Sequence, residues 1–470
     1  MSSADLTSLR QAYEKLLAGE HCLLMNEKGS ELSWLQRARK KAADQWQSAG
    51  WPRKTDERWK YLNLAAIEGA QLQVSEESTR PAAEIDFPAL VESGAATTKI
   101  VFINGYYSPT LSRLVPQSGV TVTVLSQLVE DCVATGWRKE GLRRLESFRA
   151  HVEQSDASLE STFAALNMSF FHDGVLLQLE PGTKALEPII VYHFSDFAKP
   201  SATDLVPMSS PRVFVDLGAN AQAVVLECFA ASNSTVDDGV RYLNNAVCDI
   251  RLDQGARVSH ARLQCESEAA MHVATTRVHQ KTDSFSETYQ FSLGGDLARH
   301  DLHIGLEGSG AEAVLDGLYM VNGRRQVDNY TFVEHAVPHT TSSQLYKGVL
   351  SGESRAAFLG RVRIHPDAQK SSASQLNKNL LLSAKAEIDT RPQLEIDADD
   401  VKAAHGATIG RIDPEQVFYL EARAIAKFEA ERLLTFAFAA EVAMRIQDRS
   451  LREMLTEALT AKLREGQDEP

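Results

Sequence analysis

GVLLQLE (174–180), EPIIVYHF (187–194), PRVFVDLG (211–218), QAVVLECFA (222–230), ARVSHARLQ (256–264), HVATTRVHQ (272–280), FSETYQFSLGG (285–295), AEAVLDGLYMV (311–321), RAAFLGRVRI (355–364) and QLEIDA (393–398) follow one another along the chain. Each run is about five to ten residues, alternates Val, Leu, Ile and Phe with other side chains, and is set off by Gly, Pro, Asn or Asp. No helix-length period interrupts them for roughly 220 residues, which predicts an all-β body. A sandwich, a barrel and a stacked β-solenoid all satisfy that pattern. Two details favour the solenoid: the strands outnumber those of one small barrel, and their spacing stays similar throughout. No strict repeat motif of the kind many solenoids carry is present.

The flanks read differently. Ser30 is placed to cap a helix through LSWLQRARKKAADQW, which stops near Gly50 and Pro52. WPRKTDERWKYLNL (51–64) is dense in aromatic and charged residues, and 75–98 is polar and Ala-rich, like a linker. TKIVFING (98–105) and VTVTVL (120–125) read as strands, and about 127–167 as helical. At the far end Asp413-Pro414 forms an N-cap and first-turn pair, because Pro lacks the N–H that the first turn leaves unpaired. Val417, Leu420 and Ala424, then Leu433, Phe436, Ala440 and Met444, mark an apolar helical stripe after it. LREMLTEALTAKL adds another amphipathic helix. The expected organisation is a helical region and linker over 1–97, a mixed α/β region over 98–173, a β core over 174–411 and a helical unit over 412–470.

Composition narrows the function. Apolar residues are 43% and aromatics 7% of the 470-residue chain, enough for a sizeable core. The net charge of −14 argues against nucleic acid and against an anionic membrane surface, both of which need concentrated Lys and Arg. Cys22, Cys132, Cys228, Cys248 and Cys265 make no CxxC pair, an odd and scattered set suited to a reducing compartment. The N-terminus lacks the positive-then-apolar layout of a secretory signal, and Leu433–Met444 is too short and too interrupted to span a bilayer. The cytoplasm is the expected location.

Chemistry-bearing motifs are sparse. The Gly-Lys dipeptide of a phosphate-binding loop is absent, and GLEGSG (305–310) reads as a turn. His300 and His303 stand three apart on a strand and so on opposite faces. His335 and His339 are separated by Pro338, which disfavours a helical pairing. Cys228, Cys248 and Cys265 lie in β runs, where a buried inert thiol is the default. Asp399-Asp400 reads as a solvated turn. His405, in DADDVKAAHGATIGRID, sits at the junction between the β body and the helical end. It is either a structural histidine or an imidazole free to act as ligand or proton carrier.

AQKSSASQLNKNLLLS (368–383) followed by IDTRPQLEIDADDVKAAHGATIGRIDPEQVFYLEARAI (388–425) resembles the core signature of the SufB/SufD family. FVEHAVPHTTSSQLYKGVL (332–350) and the N-terminal WPRKTDERWKYLNL are similar to segments that family carries in those positions. The resemblance is strong over 320–445, recognisable at 51–64 and loose between. It implies a right-handed parallel β-helix with helical ends, pairing with SufB through the β-helix and binding the SufC ATPase through the C-terminal helices. A homodimer is the expectation when that partner is missing.

Where SufB-type members have an acidic residue, His and Glu, this chain has Ala404-His405-Gly406, and no cysteine follows Cys265. The resemblance is therefore to the SufD branch, which implies a non-catalytic scaffold. The nascent iron–sulfur cluster would be shared with SufB, whose thiolate would meet at most an imidazole from His405. No cofactor is expected on the isolated chain. Ala403 and Ala404 depart from the Cys or Ser that members often carry beside the histidine. The SufC contact is expected at Phe418, Tyr419 and Arg423, on the first turns of the helix opened by Asp413. Rival readings are a polysaccharide-acting β-solenoid, which needs a carboxylate cluster and usually a secretory signal, and a metal-binding protein acting alone.

Overall fold

Strands that are apolar on both faces must be covered on both, and that requirement organises the body. The computed structural model of the chain describes residues 32–78, 80–81, 84–87, 97–156, 161–198 and 205–465. The early strands are β1 (Gln71–Val74), β2 (Lys99–Ile103), β3 (Tyr106–Tyr107), β4 (Val120–Val124), β5 (Gly174–Leu179), β6 (Ile189–Ser195), β7 (Leu205–Ser209) and β8 (Arg212–Leu217). There follow β9 (Gln222–Ala231), β10 (Tyr242–Leu252), β11 (Arg257–Cys265), β12 (Ala270–Gln280), β13 (Phe285–Ser292), β14 (Leu297–Leu306) and β15 (Glu312–Val321). The last are β16 (Gln326–His335), β17 (Thr341–Leu350), β18 (Arg355–Ile364), β19 (Ser372–Leu381), β20 (Glu387–Ile396) and β21 (Lys402–Gly410).

From β10 onward successive strands alternate between two sheets, and each pairs in parallel with the next but one. One sheet runs β20-β18-β16-β14-β12-β10-β8-β5-β4, the other β21-β19-β17-β15-β13-β11-β9-β6-β2-β3. This is a β-solenoid, mainly β, with helices at both ends. Its coils vary in length: Met271 pairs with Leu297, but Arg355 with Glu387. Variable coils explain why no fixed repeat is visible in the sequence.

Alternation assigns the faces. Val213, Val225, Ile250, Val258, Ile304 and Leu315 join the two sheets in one buried apolar cluster inside the solenoid. The outer face of the second sheet is also buried. Leu226, Leu263, Phe291, Leu318 and Val349 lie beneath Ala439, Val442, Ala443, Leu455 and Leu459 of the C-terminal helices. Fully burying one such Val or Leu contributes about 1.5–3 kcal/mol. The outer face of the first sheet is covered by the helices Ser33–Ala49 and Thr162–Phe170, joined where Trp46 Nε1 donates to Ser169 Oγ at 3.0 Å. Trp51 and Trp59 of the aromatic segment pack on Phe163, with ring centroids 5.5 and 5.3 Å away.

Several local expectations change. The N-terminal helix begins at Ser33 with Leu32 before it and ends at Gly50; Ser30 lies outside the described residues. The 127–167 region is helical, as Leu125–Thr135, Lys139–Asp156 and Thr162–Phe170. The linker-like 75–98 is anchored in its described part: Ser75 N–H donates to Met208 O at 2.8 Å, and Ser78 Oγ to Asp196 Oδ2 at 2.8 Å. The C-terminal stretch breaks into the helices Pro414–Glu421, Lys427–Met444 and Arg449–Glu465, with Ala424 in the left-handed region (φ 62°) at the first break. The helical stripe is also displaced. Ala439, Val442 and Ala443 pack on the sheet with Phe436 and Ala440 partly buried against the same cluster, whereas Leu433 and Met444 are exposed.

Candidate functional site

Among the described residues the last coil has no further coil stacked on it. β20 and β21 end their two sheets, so one edge of each carries backbone donors and acceptors with no strand beyond among the described residues. Most other strands of the body are buried almost throughout, but β21 is exposed along most of its length. Ile396 and Ile409 are exposed apolar residues on this end, at 42% and 51%.

His405 lies mid-way along β21 and is exposed. It pairs in register with Gln375 of β19. Ala403, two residues earlier on the same face, packs against the apolar interior, so alternation puts His405 on the inward-facing row at the open end. Beneath it runs a buried amide relay. Gln375 Nε2 donates to Gln344 Oε1 at 2.7 Å, and Gln344 Nε2 donates to Thr331 Oγ1 at 2.7 Å. Gln375 Oε1 has no hydrogen-bond partner among the described residues, although the side chain is buried. An accessible imidazole on an unpaired strand edge can ligate a metal or accept a proton without moving the fold.

The helical end presents a second surface. Asp413 Oδ1 accepts from Glu415 N–H at 2.9 Å and Pro414 opens the helix, as the sequence predicts. Val417 is its buried residue, while Phe418 and Tyr419 are 70% and 57% exposed. They do not pack on the β body. Arg423 lies in the turn after Glu421, not on the first helical turns. There its guanidinium stacks 3.6 Å from the Tyr419 ring centroid and its Nη1 donates to Tyr419 O at 3.2 Å. The three residues thus form one exposed aromatic–cation patch, remote in sequence from His405 by one short loop and one helix.

The helical unit is fastened to the second sheet by polar anchors. Lys347 Nζ donates to Phe438 O at 2.8 Å and pairs with Glu441. Arg445 Nε donates to Asp316 Oδ2 at 2.6 Å. Burial pushes the Asp316 carboxyl up to about 6 even with Arg445 opposing it.

The other histidine pairs do not converge. His300 Nε2 is 2.9 Å from Thr276 Oγ1 inside the solenoid, while His303 sits on the outer face against Tyr330 and Phe332, pushed down to about 3 by burial. His335 is held between Thr340 Oγ1 and Ser342 Oγ at 2.8 and 2.9 Å. His339 occupies a left-handed turn position, φ 62°.

One constellation was not read from the sequence: Glu227, Cys248 and His260, all buried and with one donor atom each lying within 4.8 Å of the others. Each falls two residues from an interior apolar residue (Val225, Ile250, Val258), and that parity is the signal by which it could have been found.

Comparison with known proteins agrees with this architecture. Residues 200–438 match the family described as SUF system FeS cluster assembly, SufBD core domain, and residues 7–191 match the SufBD protein N-terminal region. An iron–sulfur cluster assembly SufBD family protein of Synechocystis is 30% identical over 438 residues, covering 92% of each chain. The iron–sulfur cluster assembly protein SufD of Escherichia coli is 28% identical over 417 residues, covering 89% of this chain and 90% of its own. The chloroplastic protein ABCI7 of Arabidopsis thaliana is 29% identical over 421 residues, covering 89% and 84%. Among the described residues no helix is long and apolar enough to cross a membrane. With both halves of the chain matched, this protein belongs to the SufBD family of the SUF iron–sulfur cluster assembly system.

Proposed function

We propose that the chain is a SufD-type, non-catalytic scaffold subunit that pairs with SufB and binds the SufC ATPase in the cytoplasm. The observation that carries this reading is the open last coil: two parallel strand edges and exposed Ile396 and Ile409 around His405 form a surface able to accept a related solenoid. Pairing would bring the His405 imidazole against a thiolate supplied by SufB. The nascent iron–sulfur cluster is then cargo formed between two chains. Imidazole and thiolate together suit iron–sulfur chemistry, and Rieske-type centres use the same two ligand types. Phe418, Tyr419 and Arg423 would dock SufC, since exposed aromatic and guanidinium groups are the usual interface anchors. Nucleotide-driven motion of SufC would pass through the helical unit, bolted to β15 and β17 by Asp316–Arg445 and Lys347–Glu441, and shift the paired edges. A second copy of the chain would occupy the same edges when SufB is lacking.

The test is co-expression with SufB and SufC, wild type against His405→Ala, reading complex formation by pull-down and cluster by absorbance and iron assay. A complex in both with cluster only in wild type supports the reading. Normal filling of the variant removes the His405 role. No complex even with wild type overturns the scaffold reading.

A further inference from the structure

The interior of the solenoid is not uniformly apolar. Beside the Val and Ile rows runs a buried polar row that holds Glu227 on β9, Cys248 on β10 and His260 on β11, between 2 and 3% exposed. β9 and β11 are neighbours in one sheet, and β10 belongs to the other. The three donors therefore meet across the lumen. His260 Nε2 lies 2.8 Å from Glu227 Oε1 and 3.8 Å from Cys248 Sγ.

A further donor stands on the other side of Glu227, outside the close group of three. His193 of β6, 3% exposed, has its Nε2 3.5 Å from the other carboxylate oxygen of Glu227. Its Nδ1 has no hydrogen-bond partner among the described residues. A buried histidine beside the Glu227 carboxylate and left short of partners is unusual for a purely structural network.

We propose that Glu227, Cys248 and His260, with His193 as fourth ligand, bind one divalent transition-metal ion of the Zn2+ or Fe2+ class inside the solenoid. Mixed S, N and O donors select borderline ions over Mg2+ or Ca2+. A tetrahedral ion with bonds of about 2.0–2.3 Å sets its donors about 3.3–3.6 Å apart. The Glu227–His260 pair must open by about half an ångström and Cys248 must close slightly, shifts within reach of side-chain rotation. Binding displaces one proton to solvent, the thiol proton of Cys248, while the imidazole N–H of His260 sits at Nδ1 so that Nε2 is free to ligate. The resulting thiolate and carboxylate balance the ion's two charges. Without metal the thiol stays protonated, because burial and then the Glu227 charge push it well above its ordinary range.

The ion ties β10 of one sheet to β9 and β11 of the other and so acts as an internal staple. Its ligands are sealed from solvent, so it enters while the chain folds. This site is separate from the His405 surface and does not depend on the scaffold reading.

The experiment uses the full chain expressed in Co2+-supplemented medium and purified without partners. Metal is counted by mass spectrometry and the ligand field read by absorbance. The expected result is one Co2+ per chain with tetrahedral visible bands and a near-ultraviolet thiolate charge-transfer band. That band is lost in Cys248→Ser and kept in Cys228→Ser, a buried thiol on the opposite face of β9. His260→Gln lowers occupancy at least tenfold. Circular dichroism verifies that each variant folds. Overturning results are cobalt without a thiolate band, a band that survives Cys248→Ser, or less than a tenth of an equivalent of metal in folded wild type.

Discussion

The ring of Tyr346 lies against the α-carbon of Gly317, its register partner on the adjacent strand. A Cβ added to Gly317 would come within 2.4 Å of the ring. Two residues along, the roles reverse: Tyr319 covers Gly348, where an added Cβ would meet the ring at 2.3 Å. Interior alternation of a large ring over a missing side chain lets two tyrosines fit into one lumen. Asn377 Nδ2 donates to the Tyr319 oxygen at 3.1 Å, which satisfies a group that burial would otherwise penalise.

Gly317→Ala should therefore destabilise by about 1–3 kcal/mol through overpacking. Adding Tyr346→Leu should recover part of that loss, because the two positions share one space and are not additive. Urea unfolding of the single and double variants measures both. A Gly317→Ala protein as stable as wild type would show that the ring is free to move aside.

Arg445 should matter more as pH rises. Asp316 has a folded value near 6 against an ordinary value near 3.8, so folding takes up a proton between those limits. Its contribution is greatest below the unfolded value and is lost as pH rises through 6. Arg445 is the main group that opposes this rise. Arg445→Ala leaves the buried carboxylate, among the described residues, with the Leu345 N–H at 3.2 Å, and should cost about 1–3 kcal/mol at pH 7.5. At pH 5, where Asp316 is protonated, the loss should shrink. Equal destabilisation at both pH values would contradict the assignment.

If SufC docks at Phe418 as proposed, substituting that residue separates binding from folding. Its exposure predicts that Phe418→Ala changes the unfolding midpoint by no more than an exposed substitution usually does, about 0.5 kcal/mol. Retention of SufC in a pull-down should fall at least tenfold, the ordinary effect of losing an aromatic anchor. Unchanged retention would move the docking surface elsewhere. A large loss of stability would mean that the ring packs on the chain itself.

The strand runs were legible because alternation survives even when both faces are buried. What alternation could not say is which face is inside. Glu227 and His260 point into the lumen, while their apolar neighbours Leu226 and Ala261 lie under the C-terminal helices. A polar residue on a strand signals water only when one face is open, and here neither is. The Gly–Tyr pairs were hidden for a related reason, since their logic lies between strands about thirty residues apart. The break at Ala424 carries no Gly or Pro. His405 was legible as a junction residue, but the exposure of its strand follows from being last in the stack, which no local pattern encodes.

Glu307 offers a test of surface electrostatics in the acid range. His279 Nδ1 lies 2.7 Å from Glu307 Oε1, and Lys281 Nζ donates to Oε2 at 2.7 Å. The hydrogen bond from His279 is the largest influence; it outweighs burial and, with Lys281, draws the carboxyl down to about 2. A depressed value contributes stability above the ordinary 4.5 that is lost as pH falls toward 2. The carboxylate is about one-third exposed, so screening holds its worth to roughly half a kcal/mol. Glu307→Gln should therefore lie slightly below wild type in urea midpoint at pH 7. The two curves should draw together below pH 4.5 and meet only near pH 2, where the folded carboxylate takes up its proton. Curves that diverge as the pH falls would assign the acid dependence to other carboxylates and leave Glu307 without a share in it.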